Sequence, residues 1–242
     1  MRDCRVTRRV SPVDEAVEVI VTRLDVRSEA LRAGAAVLSD EERDRARRFV
    51  FDRDRQRFIV ARGVLRGLLA ARLGLRPQAL EFVYGERGKP ALAPRLAASG
   101  LRFNVSHCED VAVYVFSSAG DVGVDVEAVR AMPDADDVAT RVFSGRENAA
   151  YRALDPRDRP LGFFQCWTRK EAFIKALGHG MYYPLDRFDV SLAPGEPAKL
   201  LRVEQSPEDR RRWRMTGFFP VQGFVAAVVA EQADNHFTGD PR

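Results

Sequence analysis

The same order of predicted elements occurs twice along this sequence. Residues 39–42 and 144–147 both have the Ser-x-x-Glu pattern of a capping box, which begins a helix. Each is followed by a longer helix that ends at a glycine, over about 54–73 and about 161–177, and then by short strands. The repeat predicts an α+β fold, a pseudo-dimer of two similar halves. Each half would pack a small antiparallel sheet against a long helix, with a functional cleft between them.

The small residues 117–120 are the best candidate for a connection between the halves. We therefore expect an N-terminal half over residues 1–118 and a C-terminal half over residues 119–242. The first carries 22 basic and 16 acidic side chains, and the second 17 basic and 19 acidic ones. Such a division suits an anionic ligand on the first half and a cation on the second, although it also fits an ordinary protein surface.

The sequence gives no sign of a membrane or an export signal. No stretch approaches the roughly 20 apolar residues that span a bilayer, and the basic N-terminus has no apolar segment behind it. The three cysteines (Cys4, Cys108 and Cys166) have no metal-ligand spacing and are typical of free thiols in a reducing compartment. These features predict a cytoplasmic protein.

Two carboxylates share one face of a predicted strand. Residues 122–127 alternate valine with Gly123, Asp125 and Glu127, and alternate side chains on a strand point to opposite faces. The valines would face the core while both acids face the other way. Because two such close carboxylates repel each other, a hard divalent cation such as Mg²⁺ would stabilise them. A solvated outer face of an edge strand is the alternative.

A second pair of charged residues lies in the predicted helix over 161–177. Glu171 and Lys175 are four residues apart and therefore share one face. A glutamate there could ligate a metal or accept a proton, and a lysine could neutralise a phosphate. An ordinary surface ion pair is the alternative. Trp167 is interpreted as a core residue.

The residues 103–107 run from a strand into a Ser–His pair. Ser106 and His107 are adjacent on the strand, so their side chains point apart and cannot readily form a nucleophile–base pair. The chain has no G-x-S-x-G elbow either. His107 suits a hydrogen-bond donor to a phosphate better.

Lysine is rare in this chain, which has 35 arginines and only 4 lysines. Lys170 and Lys175 fall in one helix, and Lys89 stands between Gly88 and Pro90 in a predicted turn. Lysine is a compact point charge on a flexible stem, unlike the planar guanidinium. These positions are therefore candidates for a specific role, although a plain solvated turn also explains Lys89.

Taken in order, these motifs resemble those of one enzyme family. The pieces are RRFVF-x-x-D-x-x-RF (47–58), GKP (88–90), FNVSH (103–107), GVDVE (123–127), FS-x-x-E (143–147) and WTRKEAFIKALGHG (167–180). Their order and spacing over about residues 38–230 resemble the 4′-phosphopantetheinyl transferases of the surfactin-synthetase-activating type, which have two halves. That resemblance implies transfer of the phosphopantetheine arm of coenzyme A to a serine of an apo acyl or peptidyl carrier protein, with release of adenosine 3′,5′-bisphosphate.

The resemblance also implies the role of each site residue. The expected Mg²⁺ ligands are Asp125, Glu127 and Glu171. Glu171 would also be the base, and Lys175 would stabilise phosphate charge. The expected coenzyme A contacts are Arg45, Arg57 and Arg62 at the 3′-phosphate, Gly88, Lys89, Pro90 and Ser106 at the adenine, and His107 at a phosphate. The family implies a monomer that binds neither nucleic acid nor membrane. Val126 cannot ligate a metal, and Cys108 follows the histidine where a small residue is usual.

Two other functions fit parts of the pattern. A metal-dependent phosphohydrolase would use the same acids, and a non-catalytic relative would bind carrier proteins only. The carrier itself stays open among those of fatty-acid, polyketide and nonribosomal-peptide synthesis. An acidic carrier should dock where arginine meets exposed apolar side chains, and we expect such a face near Arg141, Phe143 and Met181.

Overall fold

A computed structural model describes residues 7–14, 16–24, 27–85, 90–178, 183–204 and 209–232. The helices are α1 (Ser28–Val37), α2 (Asp40–Arg47), α3 (Asp52–Leu73), α4 (Pro94–Ala97), α5 (Ala135–Val142), α6 (Gly145–Ala153), α7 (Arg159–Leu177) and α8 (Asp209–Arg212). The strands are β1 (Thr7–Asp14), β2 (Val17–Arg23), β3 (Phe82–Tyr84), β4 (Pro90–Leu92), β5 (Arg102–Cys108), β6 (Val111–Ser117), β7 (Val122–Ala128), β8 (Phe188–Val190), β9 (Leu200–Val203), β10 (Trp213–Phe218) and β11 (Phe224–Glu231). None of the helices in these ranges is long and apolar enough to cross a membrane.

Two antiparallel sheets form the centre of the molecule. One has the strand order β1-β2-β6-β5 and the other β10-β11-β7. Two small ribbons, β3-β4 and β8-β9, complete the strands. The first sheet uses residues up to 117 and the second begins at residue 122, with a short connection between them.

Side chains from both sheets meet in one valine-rich layer. Its buried members include Val19 on β2, Val113 on β6, Val124 on β7 and Val228 on β11, each of them fully buried. The period-two alternation of these strands directs one set of side chains to this shared layer and the other set outward. Burial of one valine is worth about 1.5–3 kcal/mol, so this layer joins the two sheets tightly.

A long helix covers the outer face of each sheet. Leu65 and Leu69 of α3 pack with Ile20 and Tyr114 of the four-stranded sheet, and the Tyr114 hydroxyl donates to the Ala61 carbonyl at 3.0 Å. On the opposite side, α7 packs through a cluster that includes Phe173, Ile174, Ala227 and Val229. Each half therefore has an antiparallel sheet and a long helix, and the predicted α+β class is confirmed.

Both predicted capping boxes are present. The Ser39 and Ser144 hydroxyls accept the backbone N–H three residues on, and the glutamate carboxylates accept the serine N–H in return. α3 and α7 end at glycines with left-handed backbone (φ 65° and 74°) and begin two residues earlier than predicted. The sequence motifs predicted no element in the first 35 residues, but residues 7–14 and 17–23 form β1 and β2, and β2 belongs to the central layer.

A buried ion pair links each capping box to the long helix that follows. Arg66 Nε of α3 donates to Glu42 Oε2 at 2.6 Å, and its guanidinium also donates to the Leu80 carbonyl at 3.1 Å. Lys170 Nζ of α7 donates to Glu147 Oε2 at 2.6 Å and to the carbonyl of Phe188 at 2.7 Å. The two halves therefore repeat an internal polar contact as well as an element order.

Candidate active site

Strand β5 of the first sheet lies beside β7 of the second, and their side chains connect. The Asn104 side-chain oxygen accepts the Val124 N–H at 3.0 Å. Two residues further on, the Ser106 hydroxyl donates to Asp125 Oδ1 at 2.8 Å. Asp125 is only 5% exposed, so the alternative of a solvated outer face is wrong. The valines and acids of β7 do face opposite sides, as predicted.

Helix α7 brings Lys175 onto the same carboxylate. Lys175 Nζ donates to Asp125 Oδ1 at 2.6 Å and to Ser106 Oγ at 3.3 Å. The approach of helix to strand requires Gly123, because a Cβ at that position would lie 2.1 Å from the Ala172 carbonyl oxygen. The glycine in the Gly-Val-Asp-Val-Glu motif thus has a packing role that places Lys175.

These contacts lie in a cleft of about 330 Å³. Residues of both sheets and of α7 line it, including Ser106, His107, Asp125, Glu127, Trp167, Glu171 and Lys175. Trp167, which the sequence suggested was a core residue, is half-buried and contributes to the cleft wall. Five of the residues singled out from separate motifs, together with Lys175, therefore come together in space.

The acids of the cleft repel one another. Burial raises the pKa of Glu171, the Lys175 ammonium offsets part of that effect, and the charges on Asp125 and Glu127 raise it further. Burial and then Asp125 raise the pKa of Glu127. Two neighbours hold the Glu127 carboxylate: Cys108 Sγ at 3.4 Å and Arg130 at 3.5 Å. Added positive charge would therefore stabilise a site of this kind.

The donor set fits a hard divalent cation, although its geometry is not that of a formed metal centre. The described residues contain no group of three or more acid, histidine or cysteine side chains spaced to hold a metal as they stand. The ammonium of Lys175 neutralises Asp125 instead. Yet Asp125 Oδ2 is buried with no hydrogen-bond partner among the described residues, and Glu127 and Glu171 line the same cleft. Oxygen ligands and excess negative charge are what Mg²⁺ requires.

Three arginines and a lysine lie close enough to His107, one of the residues that line the cleft, for their charges to act on its imidazole. The imidazole is exposed to solvent. Its pKa is nevertheless lowered, mainly because nearby protein desolvates the ring and also because of the positive charges of Lys175, Arg57, Arg45 and Arg62. Arg45 is exposed on α2, whereas Arg57 is half-buried and Arg62 is buried on α3. Their side chains are anchored locally: the guanidinium groups of Arg45 and Arg62 lie 5.5 and 5.8 Å from the Phe58 ring centre.

Other predicted positions lie elsewhere. Gly88 and Lys89 fall outside the described residues, as does Met181, and Pro90 pairs with Tyr84 in the β3-β4 ribbon. Phe143 is 3% exposed and packs against Phe163 and Tyr151, so it cannot be part of a docking face as predicted.

The sequence did not predict the contacts that support this site. Glu147 and Lys170 hold α7 against the β8-β9 ribbon, since Glu147 also accepts the Val190 N–H at 2.7 Å. Arg130 also went unnoticed as the partner of Glu127. The rarity of lysine was the one signal that pointed to Lys170, whereas an arginine in an arginine-rich chain gives none.

Comparison with known proteins shows the family to which this chain belongs. Residues 121–229 match the 4′-phosphopantetheinyl transferase superfamily, and residues 26–119 match the N-terminal region of a 4′-phosphopantetheinyl transferase. The chain is 38% identical over 206 residues to the 4′-phosphopantetheinyl transferase HetI of Nostoc, a match that covers 85% of this chain and 84% of HetI. The chain belongs to the 4′-phosphopantetheinyl transferase superfamily.

Two further matches have a lower sequence identity to this chain. The 4′-phosphopantetheinyl transferase Sfp of Bacillus subtilis is 32% identical over 155 residues, covering 64% of this chain and 66% of Sfp. Among solved structures, an ACPS–CoA complex of Chronobacterium ammoniagenes is 18% identical with a TM-score of 0.34, covering 46% of this chain and 97% of that one. HetI and Sfp, together with the family model, identify the chain as an enzyme of this class.

Proposed function

We propose that this protein moves the 4′-phosphopantetheine group of coenzyme A to a serine of an apo acyl or peptidyl carrier protein in a Mg²⁺-dependent reaction. The observation that supports this most directly is the meeting of Ser106, His107, Asp125, Glu171 and Lys175 in one cleft. The charges of three arginines also act on His107. Coenzyme A carries phosphates at both ends of its nucleotide. Positively charged side chains near His107 would suit the phosphates of that molecule, and the carboxylates that line the cleft would suit a bound cation.

The chain's own residues would bind and orient coenzyme A. Arg45, Arg57 and Arg62 supply positive charge for the 3′-phosphate, and Gly88, Lys89, Pro90 and Ser106 are the proposed adenine contacts. His107 would donate a hydrogen bond to a phosphate while neutral, which its lowered pKa favours. Lys175, on the inner side of the cleft, would reach the pyrophosphate and stabilise its charge as the bond breaks.

The chemical step would be an in-line displacement at the phosphorus that bears the pantetheine. The carrier serine oxygen forms a bond to that phosphorus, its proton passes to Glu171, and the bond to adenosine 3′,5′-bisphosphate breaks. A raised pKa makes Glu171 a better proton acceptor than an ordinary glutamate. Asp125, Glu127 and Glu171 would hold Mg²⁺, which supplies positive charge to the pyrophosphate when bound.

The remaining expectations are part of the same proposal. We propose that the halves divide at residues 118 and 119, and that the protein acts as a cytoplasmic monomer on coenzyme A and carrier proteins, without nucleic acid or membrane. The type of carrier stays open.

Intact-protein mass spectrometry of an apo carrier incubated with this protein, Mg²⁺ and coenzyme A tests the proposal. We expect the carrier to gain one phosphopantetheine, and EDTA to abolish the gain. Asp125→Asn should lose at least about a hundredfold in rate, because a preorganised charged group is removed from the cleft. Asp121→Asn is the matched control, since Asp121 is exposed and pairs only loosely with Arg102.

Two results would count against the proposal. If fatty-acid, polyketide and peptide carriers all stay unmodified although coenzyme A binds, the transferase function fails and a carrier-binding relative is favoured. If coenzyme A is cleaved equally fast without a carrier, the phosphohydrolase alternative is favoured.

A further inference from the structure

Lys175 makes a strong ion pair with a carboxylate that is also a proposed metal ligand. Its ammonium lies 2.6 Å from Asp125 Oδ1 and 3.3 Å from Ser106 Oγ. Asp125 is buried and the Lys175 side chain is 29% exposed, so water screens the pair only partly. Ser106 Oγ, at 2.8 Å from the same oxygen, holds the carboxylate in this orientation.

A divalent cation at Asp125 would meet this ammonium at close range. The other carboxylate oxygen, Oδ2, is buried and has no hydrogen-bond partner among the described residues, so it is the position left for a metal. A cation there would approach the ammonium across a single carboxylate group. Two positive charges on one carboxylate repel each other strongly where screening is weak.

The phosphates of coenzyme A would remove that conflict. Lys175 lines the same cleft as His107, on whose imidazole the charges of three arginines also act. A pyrophosphate in the cleft offers Lys175 new acceptors and adds negative charge beside Glu127 and Glu171. The balance at Asp125 then shifts from the ammonium to the metal.

We propose that Lys175 is an internal cation that competes with the divalent metal for Asp125 and that coenzyme A relieves the competition by drawing Lys175 to its phosphates. This inference rests on the function proposed above. It makes coenzyme A and metal a cooperative pair, and because such coupling is reciprocal, each raises the affinity of the other by the same factor. It also gives Lys175 opposite effects on two measurable quantities, since the lysine that aids transfer weakens metal binding.

Mn²⁺ binding to the purified full chain, followed by electron paramagnetic resonance with and without coenzyme A, tests the proposal. Without coenzyme A, we expect Lys175→Gln to bind Mn²⁺ roughly tenfold more tightly than the wild type, because a neighbouring positive charge is gone. Lys175→Arg keeps the charge and should bind as the wild type does. Lys199→Gln, at an exposed position, is the charge-matched control and should also match the wild type.

The second expected result is a smaller effect of coenzyme A in the variant. Coenzyme A should tighten Mn²⁺ binding in the wild type by more than it does in Lys175→Gln. The proposal is overturned if Lys175→Gln binds Mn²⁺ no more tightly than the wild type. If that variant does not fold, the wild type decides: equal Mn²⁺ affinity with and without coenzyme A overturns the proposal, and a tighter affinity supports it.

The outcome is separable from that of the transfer assay. A wild type that shows the Mn²⁺ effects but modifies no carrier would refute the proposed function and leave the role of Lys175 intact. A wild type that modifies carriers while Lys175→Gln leaves Mn²⁺ affinity unchanged would refute only this inference.

Discussion

At the scale of single residues, the neighbours of each charged side chain explain its environment in the site better than its residue type does. Asp125 and Glu127 are two residues apart on β7, yet one is bound by Ser106 and Lys175 and the other by Cys108 and Arg130. Neighbouring elements thus give two similar carboxylates different environments. The same holds for His107, whose charge state depends on side chains from α2, α3 and α7.

His107 should be neutral at pH 7 and should lower stability in acid. Desolvation by nearby protein and four cationic neighbours lower its pKa below 6.5, so between that pKa and 6.5 the unfolded chain binds the extra proton. The free energy of unfolding therefore decreases as the pH falls through about 6.5. A proton NMR titration of the imidazole signals measures this pKa, and His107→Asn assigns the signal among only three histidines.

Two arginine variants, one a test and one a control, show whether nearby positive charge lowers the pKa of His107. Arg57→Gln removes one of the charges that act on His107 and should raise its pKa toward 6.5. Arg43→Gln lies on the same helix as Arg45 but pairs with Asp40, so it should leave the pKa unchanged. A His107 pKa at or above 6.5 in the wild type would contradict the arrangement of charges described here.

The sequence predicted which way the acidic side chains of β7 point, but not what they contact. Alternation along β7 was enough to predict that Asp125 and Glu127 face away from the valines. It could not predict that Ser106 and Lys175 would meet Asp125, because those contacts depend on how β5 and α7 pack against β7. The buried location of Asp125 follows from that packing, whereas the strand pattern alone left a solvated outer face open as an alternative.

At the scale of elements, the long helices are held by ion pairs at the same place in each half. Glu42 with Arg66 and Glu147 with Lys170 connect a helix N-terminus to the next helix and to a following carbonyl group. Because Lys170 precedes Glu171, the contact also positions the face of α7 that carries Glu171 and Lys175. Motifs showed both glutamates as capping residues, but periodicity contains no signal for their distant partners, which lie 24 and 23 residues away.

Breaking the second pair should be costly. Lys170→Met leaves the Glu147 carboxylate buried without its cation, and we expect a loss of roughly 3–5 kcal/mol in the free energy of unfolding. Replacing both partners with Glu147→Leu and Lys170→Met should cost less than the single change, since no buried charge is left unpaired. Urea unfolding followed by tryptophan fluorescence measures both.

The exposed Lys199 again provides the comparison. Lys199→Met should change the free energy of unfolding by no more than about 0.5 kcal/mol. If Lys170→Met were as mild as Lys199→Met, the pair would contribute little to the fold and α7 would be positioned by its apolar face alone.

At the scale of the whole molecule, one buried layer is shared by the two sheets. The fully buried Val113 and Val124 come from different sheets and pack in the same cluster. The repeated order of helices and strands predicted two similar halves, and the structure confirms that class. The alternation along β7 predicted which of its faces is apolar, but which face of β6 would meet it could not be predicted, because both faces of β6 are apolar for much of their length.

A cavity in the shared layer should therefore destabilise both halves together. Val124→Ala should lower the free energy of unfolding by roughly 1–3 kcal/mol. In calorimetry we expect one transition whose calorimetric and van't Hoff enthalpies agree. Val50→Ala, at a side chain that is 88% exposed, is the matched control and should change little. Two separated transitions would mean that the halves fold independently.

The repeated ion pair has a consequence for stoichiometry. If Arg66 and Lys170 are taken as equivalent positions, Glu171 and Lys175 correspond to Gly67 and Ala71 on α3. Neither of those residues can accept a proton or neutralise a phosphate. A symmetric pair of identical chains would have two equal clefts, whereas in this chain only the second half presents a glutamate and a lysine at these positions. Such a chain would make one product per turnover at one location, and its first half would be free to specialise in holding the nucleotide.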